Sequence, residues 1–243
     1  MSKIRILNVG DRAILLEFGE NISPMINRRV HKFFFLIRDA KIPGIIEAVP
    51  GYRTLLIYYD PLMIETNVLK KEIRRIWKSI ETAQWNPYWK TKKVRIPVVL
   101  GDEFGPDLES VAQFHSMGKE QMIGLFLKHD YSVYMIAFVP GAPLLARLPR
   151  RIATPRHKTP RLRVPMGSIG IGNVQIAIYP HDLPGGMQIV GRTPLKIYDP
   201  TREQLASLLD IGDRVKFERI SEEEYRHIAE SEQKNLNNYI IED

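Results

Sequence analysis

The chain has 243 residues, of which 44% are hydrophobic and 26% charged, with 35 Lys and Arg against 28 Asp and Glu. This is globular composition, with enough apolar side chain for one large domain or two small ones. The absence of cysteine excludes disulfides, thiolate metal sites and thiol nucleophiles. No apolar run is long enough to span a membrane, and the N-terminus lacks the apolar segment of a secretory signal. We therefore expect a soluble cytoplasmic protein.

Residues 1–88 alternate between strand-like and helix-like patterns. The strand-like stretches are Lys3–Asn8, Ala13–Phe18, Glu47–Val49 and Thr54–Tyr59. Ser23 followed by Pro24 marks the start of a helix, because serine caps the first free amides and proline lacks only an amide that would stay unpaired there. A second helix is predicted over Leu69–Ile80 by its apolar face. This order predicts a small open-faced α/β sandwich that ends where Trp85–Trp89 breaks the pattern.

Residues 89–220 read differently, as short apolar runs separated by proline and glycine. The runs are Val94–Val98, Tyr131–Val139, Gly167–Ile171, Val174–Tyr179, Met187–Val190, Leu195–Tyr198 and Arg214–Ile220. Two short helices are predicted near Asp107–His115 and Lys119–Lys128. Ten of the 17 prolines lie between Pro140 and Pro200, which disfavours long helices and central strands there. The fold class is thus α+β, with a β-barrel or sandwich as the second domain.

The last segment, residues 221–243, is predicted to be a polar helix and tail. Ser221 and Glu224 have the spacing of a capping box, in which each side chain satisfies a free backbone amide of the other residue. The apolar stretch Tyr239–Ile241 near the end is expected to dock on a neighbouring element.

Positive charge is concentrated in one segment of the chain. Between Asp130 and Asp182 there is no acidic residue, and the segment carries seven cations: Arg147, Arg150, Arg151, Arg156, Lys158, Arg161 and Arg163. Such a segment is a candidate site for a small anion or for an acidic face of a partner protein. The alternative is a solvated basic loop. Nucleic acid is disfavoured, because no recognisable binding signature and few interleaved aromatic residues accompany the cations.

Several catalytic classes lack their motifs in this sequence. Neither a phosphate-binding loop nor the paired-histidine zinc motif occurs, and the six histidines lack metal-ligand spacing, so we expect no metal site. Met166–Gly170 resembles a serine-nucleophile turn but has Met at the first glycine position and lies between strands. The proline- and glycine-rich region contains no pair of carboxylates for acid–base chemistry. The chain therefore has the character of a binding component, and its catalytic residues are not identified.

Three loops carry the candidate binding residues: Val139–Leu145, Thr154–Arg161 and Pro184–Pro194. If His157–Pro160 turns, the guanidinium groups of Arg156 and Arg161 converge and can hold a carboxylate or phosphate. Adjacent glycines allow backbone amides to approach a ligand, although a simple hairpin turn explains them equally. The side-chain amide of Gln175 is expected either to hydrogen-bond to an amide of the ligand or to bridge two strands. The candidate substrate-binding set is Arg156, Arg161, Ser168, Gln175, Tyr179, Gly185, Gly186, Arg192 and Thr193.

A series of short motifs, in order along residues 1–220, resembles one known family. The motifs are Gly10-Asp11, Asp60-Pro61, Gly105–Leu108, Ala137–Gly141, Thr154–Arg156, Val164–Gly170, Ile178–Pro180, Pro184–Gly186 and Gly191–Pro194. They are similar to those of the family of 5-oxoprolinase B-type subunits and allophanate hydrolase subunit 1, the carboxyltransferase subdomain C and D. That family also includes a sporulation inhibitor of a histidine kinase, and it resembles half of the carboxyltransferase domain of urea carboxylase.

The resemblance implies a small α/β domain followed by a cyclophilin-like β-barrel. It also implies two partners, a carboxyltransferase-like C-type subunit with an A-type subunit, which together open the lactam of 5-oxoproline to glutamate at the expense of ATP. A carboxylate beside an amide is a substrate that suits Arg156 or Arg161 together with Gln175. Since no nucleotide motif occurs here, ATP is expected to bind to one of the partners, and this chain alone is expected to be inactive.

The sequence departs from the family pattern at several positions of the predicted pocket. Where the family usually has Gly, Phe and Tyr, this chain has Ala137, Ala142 and Leu144, and Met187 replaces a usual Trp. Two alternatives therefore stay open: an enzyme component that acts on another small amide of the urea or allophanate type, or a regulatory module that inhibits a sensor histidine kinase. A prolyl isomerase is disfavoured, because a barrel alone does not carry that function.

Overall fold

The computed structural model describes residues 4–82, 91–202, 205–231 and 236–241. The chain divides into two compact units, Met1–Lys90 and Thr91–Asp243, each with its own hydrophobic core. The pattern break predicted at Trp85–Trp89 lies outside the described residues. Among the helices that the structure describes, none combines the length and the apolar character needed to cross a membrane.

The first unit is a four-stranded antiparallel sheet packed against two helices. Its elements are β1 (Arg5–Val9), β2 (Ala13–Glu17), α1 (Pro24–Ala40), β3 (Ile45–Pro50), β4 (Thr54–Tyr59) and α2 (Thr66–Thr82). The strand order is β1-β2-β4-β3. Alternate residues of the central strands and one face of each helix form the core: Ile14, Leu16, Leu55, Ile57, Val30, Phe33, Ile37, Leu69 and Ile73. The predicted open-faced sandwich is confirmed.

The ends of α1 follow the local signals in the sequence. The Ser23 side chain accepts a hydrogen bond from the amide of Ile26 at 3.2 Å, and Pro24 occupies the first turn, as predicted. At the other end, Lys41 adopts a left-handed conformation with φ 45°, and its amide donates to the carbonyl of Arg38.

The second unit contains the remaining elements. They are β5 (Lys93–Leu100), α3 (Leu108–Phe114), α4 (Lys119–Lys128), β6 (Tyr131–Ile136), β7 (Pro143–Ala146), β8 (Arg161–Val164), β9 (Ser168–Gly172), β10 (Gln175–Ile178), β11 (Leu183–Gly185), β12 (Gln188–Arg192), β13 (Arg214–Arg219), α5 (Glu222–Glu230) and β14 (Ile240–Ile241).

Seven of these strands close into a mixed β-barrel. Their order is β12-β9-β10-β7-β6-β13-β5, and β12 pairs back onto β5 to complete the ring. The pairing of β5 with β13 is parallel and the other pairings around the ring are antiparallel. β8 and β11 form a separate two-stranded sheet. The α+β class with a sandwich followed by a barrel, predicted from the sequence, is therefore confirmed.

The C-terminal segment belongs to this second unit. The capping box of Ser221 and Glu224 is present in both directions, as the sequence predicted. β14 pairs with the start of β5, so that Ile240 lies opposite Val94, and Leu236 is buried in the barrel core. The apolar end of the chain thus docks on the barrel, as expected.

Two local predictions differ from the structure. Leu195–Tyr198 was expected to be a strand, but only Tyr198 pairs there, in an isolated bridge with Ser207. Its alternating apolar residues are buried in the core without joining a ladder. Conversely, part of the predicted loop Val139–Leu145 is strand β7. Pro143 is the first residue of β7, a position where a strand tolerates the missing amide.

Candidate functional site

The outer faces of β9 and β10 are the floor on which the candidate site is built. Successive side chains of a strand point to opposite faces, so one set fills the barrel and the other faces outward. The barrel core contains Ile169, Ile171, Ile176 and Ile178. The alternate positions on the other face are Ser168, Gly170, Gly172, Gln175 and Ala177.

Two glycines of β9 make room for the side chains that cover this face. A Cβ at Gly170 would lie 2.7 Å from the Cβ of Met187. A Cβ at Gly172 would lie 3.0 Å from Cγ and Nε of Arg156 and from Cε of Met187. These positions are glycine because side chains from other segments rest directly on the strand.

A cavity of about 270 Å³ lies against this face. Its walls come from the loop and strand at 138–144, from residues 177–187 and from Arg156. Most of the lining side chains are apolar, and Arg156 is the charged residue among them. A small ligand with an apolar body and one negative group matches this lining.

Arg156, which lines the cavity, also contacts Gln175. Nη2 of Arg156 donates a hydrogen bond to Oε1 of Gln175 at 3.2 Å. Because a guanidinium group has five donors, this bond leaves donors of the exposed Arg156 side chain for an anion. The amide nitrogen of Gln175 is a further donor beside it.

Tyr179 places a neutral hydroxyl on the cavity wall. Burial raises the pKa of this phenol, and the positive charges of Arg156 and Arg161 and a hydrogen bond from the Met187 amide oppose the rise without cancelling it. The group therefore stays protonated at neutral pH and can act as both donor and acceptor. A Cβ at Gly185 would lie 2.2 Å from the Tyr179 hydroxyl oxygen, so this glycine allows the ring to lie against β11.

The structure gives Arg161 a different partner from the predicted one. Its guanidinium donates two hydrogen bonds to the carboxylate of Asp107, at 2.7 and 2.9 Å. Arg161 does not line the cavity, so it does not converge there with Arg156. The carboxylate that Arg161 holds in this structure belongs to the chain itself.

Asp107 is a site-supporting residue that the sequence did not reveal. It is 5% exposed, and it also accepts a hydrogen bond from the Ile189 amide at 2.6 Å, while Nε2 of His157 lies 3.2 Å from its Oδ2. Burial alone would raise the pKa of Asp107, but the hydrogen bonds from Arg161 and Ile189, the nearby His157 imidazole and the positive charge of Arg161 hold it below its usual value.

The side chain of Asp107 does not cap α3. It directly precedes α3, where aspartate commonly caps a helix, yet its side chain makes no capping hydrogen bond. In the sequence, Asp107 belongs to the Gly105–Leu108 motif, which indicates the family. The motif does not show that Asp107 pairs with Arg161, which lies 54 residues away along the chain.

Three predicted site residues lie together but away from the cavity. Ser168 is fully buried, and it lies opposite Arg192 in the ladder between β9 and β12. The guanidinium of Arg192 lies 5.7 Å from the centre of the Phe104 ring. Thr193 is buried, and its amide donates to the carbonyl of Gly167. Of the predicted set, Arg156, Tyr179, Gly185 and Gly186 line the cavity, and Gln175 contacts Arg156 without lining it.

The cavity lacks the groups of a self-contained hydrolase. No Asp, Glu or His is among the described residues that line it. Across the part of the chain that the structure describes, no group of three or more His, Asp or Glu is arranged to hold a metal ion. Among the described residues, the barrel carries a small, mostly apolar cavity with Arg156 as a cation on its wall.

The chain belongs to the carboxyltransferase domain family, subdomain C and D, whose model matches residues 4–208. It is 36% identical over 239 residues to the B-type subunit of 5-oxoprolinase from Bacillus subtilis, covering 94% of this chain and 98% of that one. The family resemblance of the motifs is therefore confirmed.

Longer relatives contain the same module. The chain is 28% identical to the urea amidolyase of Lachancea kluyveri over 94% of its own length and 14% of that protein. The crystal structure of Kluyveromyces lactis urea amidolyase shares its fold with a TM-score of 0.77 at 24% identity, over 93% of this chain and 15% of that one. This chain therefore corresponds to a small part of those proteins.

Proposed function

We propose that this chain is the B-type subunit of an ATP-dependent 5-oxoprolinase. With a carboxyltransferase-like C-type subunit, together with an A-type subunit, it would open the lactam of 5-oxoproline to glutamate in the cytoplasm. The observation that carries this proposal is the similarity to a 5-oxoprolinase B-type subunit over nearly the whole length of both chains. The cofactor ATP would bind to one of the partners.

The cavity chemistry supports this substrate. 5-Oxoproline is a small ring that carries one carboxylate and one lactam amide. In the proposed complex Arg156 binds the carboxylate, Gln175 and the Tyr179 hydroxyl bind the lactam, and the backbone at Gly185 and Gly186 approaches the ring closely. Arg161 supports the wall through Asp107.

The same chemistry argues that the chain does not act alone. Opening an amide requires an activated nucleophile and a proton donor for the leaving nitrogen. The described lining residues offer a guanidinium, a phenol and backbone groups but no carboxylate or imidazole. Those groups, with the phosphate chemistry that activates the lactam, must then come from the partner proteins.

Reconstitution tests the proposal directly. The A-type and C-type partners from the same organism are mixed with and without this chain, and glutamate release from 5-oxoproline is followed with and without ATP. Activity that needs both ATP and this chain is expected. A stable complex that leaves 5-oxoproline intact would contradict 5-oxoproline as the substrate. Urea and allophanate would then be tested as substrates, because a urea amidolyase is among the relatives. Failure of the three components to assemble would favour the alternative function, a regulatory module that inhibits a sensor histidine kinase.

Replacing Arg156 by Gln is expected to raise KM for 5-oxoproline roughly tenfold to a hundredfold, the loss of one charge-assisted hydrogen-bonded pair. Assembly of the complex is expected to be unchanged, because the proposal assigns Arg156 to the substrate cavity and not to a contact with a partner. Arg151→Gln is the matched control, since Arg151 is an exposed arginine of the same basic segment and does not line the cavity. Steady-state kinetics of the two variants are compared, and equal KM values would show that Arg156 does not bind the substrate.

A further inference from the structure

Phe138 is a large apolar side chain that the fold holds at the rim of the cavity. It lines the cavity, yet 82% of its surface is exposed. Its backbone has φ 70°, a left-handed conformation that bulky residues rarely adopt and that costs free energy. An exposed ring on a strained backbone adds little to the stability of the fold, which indicates a role in binding.

The loop that carries Phe138 is rigidly anchored. The amide of Ala137 donates to the carbonyl of Ala142 at 3.0 Å, which closes the loop. Gly141 has φ 75° and packs so tightly that a Cβ there would lie 2.2 Å from the ring of Tyr198. The closed loop thus imposes the strained backbone conformation of Phe138 and keeps this residue at the cavity wall.

We infer that Phe138 is a specificity-determining residue, whose ring covers the apolar face of a small lactam while Arg156 holds the carboxylate. This inference rests on the proposed function. The other lining residues include Ala177, Leu183 and Met187, so a bound ring would lie among apolar surfaces and bury the exposed phenyl group. A ring contact of this kind favours cyclic over open-chain amides.

The kinetic test uses the reconstituted three-component enzyme with Phe138→Ala in this chain. KM for 5-oxoproline is expected to rise roughly tenfold while kcat changes less than about twofold, because a contact made equally to substrate and transition state is lost. Assembly, followed by size-exclusion chromatography, is expected to be unchanged. Leu162→Ala is the matched control, since Leu162 is an apolar side chain 94% exposed that does not line the cavity.

A second measurement tests the backbone strain in the isolated full chain. Glycine adopts φ 70° without steric strain and alanine does not, and this strain outweighs the larger backbone entropy that glycine loses on folding. Phe138→Gly is therefore expected to have a Tm roughly 2 °C above that of Phe138→Ala. An alanine variant as stable as the glycine variant would overturn the strain on which the inference depends.

The outcomes separate this inference from the proposed function. An inactive wild-type complex would overturn both together, because the assigned ligand would be wrong. An active wild type with an unchanged KM in Phe138→Ala would overturn the inference alone. Loss of assembly in that variant would show that the ring contacts a partner protein, which also overturns it.

Discussion

Asp107→Asn is expected to lower the free energy of unfolding by about 2 kcal/mol. The substitution removes the charge that accepts two hydrogen bonds from Arg161 and one from the Ile189 amide. Breaking a fully buried ion pair costs about 3–5 kcal/mol, but Arg161 keeps 35% of its side chain exposed, so water screens part of the loss. Chemical unfolding of the complete chain, followed by circular dichroism, gives the difference.

The effect of Asp107→Asn should extend to the cavity. Asp107 ties α3 to Arg161, and its own amide donates to the carbonyl of Ile189 at 2.9 Å. The segment between Arg156 and Arg161 is also held by the amide of His157, which donates to the carbonyl of Gly186 at 2.7 Å. Loosening one end of this segment should raise KM for 5-oxoproline in the reconstituted enzyme.

Glu120→Gln is the control for this variant. Glu120 also accepts a hydrogen bond from an arginine, Arg219, at 2.8 Å, but both side chains are largely exposed. Exposed pairs contribute about 0–1 kcal/mol, so the change in unfolding free energy should stay within that range. Equal changes in unfolding free energy for Asp107→Asn and Glu120→Gln would show that the burial of Asp107 does not make its ion pair stronger than an exposed one.

The stability difference between wild type and Asp107→Asn should depend on pH in one direction. The bonds to Asp107 hold its pKa below the usual value in the folded state, so the unfolded chain binds this proton at higher pH than the folded one. The stabilisation is complete above the pKa of the unfolded carboxyl and is lost as the pH falls through the lower folded pKa. Unfolding curves across that acidic window should converge, and a constant difference would contradict the assignment.

The fold was more predictable than the site, for physical reasons. Local periodicity marks elements such as α1, where Ser23 and Pro24 also fix the start. The apolar run Gly167–Ile171 predicts a strand, but it does not tell which other segment of the chain covers the outward-facing glycines. The side chains that cover these glycines are those of Arg156 and Met187, which are distant from them along the chain.

The same limit explains the misplacement of Arg161. From the sequence, Arg156 and Arg161 are a pair five positions apart in a basic segment, and convergence on one ligand was a reasonable expectation. The position of the Arg161 guanidinium depends on the carboxylate of Asp107, which lies in another part of the chain. No local sequence pattern predicts that Asp107 is buried. Gly185 and Gly186 do line the cavity, and their role in binding stays a prediction that rests on the close approach that paired glycines permit.

Those two glycines give the second large effect, because they differ in the room around them. At Gly185 a Cβ would lie 2.2 Å from the Tyr179 hydroxyl oxygen and 2.9 Å from two ring carbons. Tyr179 cannot easily yield, since it is buried and packs with Val164 and Ile189. Gly185→Ala is expected to cost about 1–3 kcal/mol of stability by overpacking and to lower kcat/KM at least about tenfold by displacing the cavity wall.

Gly186→Ala is the matched control at the adjacent position. Its Cβ would meet nothing closer than 3.6 Å, an ordinary contact with Pro160. Neither glycine has a positive φ, so added backbone strain does not distinguish them. Thermal unfolding of the chain should therefore leave the stability of Gly186→Ala near that of the wild type, and similar losses of stability in both variants would mean that the collision with Tyr179 is not the cause.

A double variant identifies the colliding atom. Adding Tyr179→Phe to Gly185→Ala removes the oxygen at 2.2 Å but leaves the ring carbons at 2.9 Å, so stability should recover in part. Catalytic efficiency should recover less, because the hydroxyl that we propose binds the lactam is also gone. Recovery of stability without recovery of kcat/KM would separate the two roles of Tyr179, as a wall that Gly185 must accommodate and as a hydrogen-bonding group for the substrate.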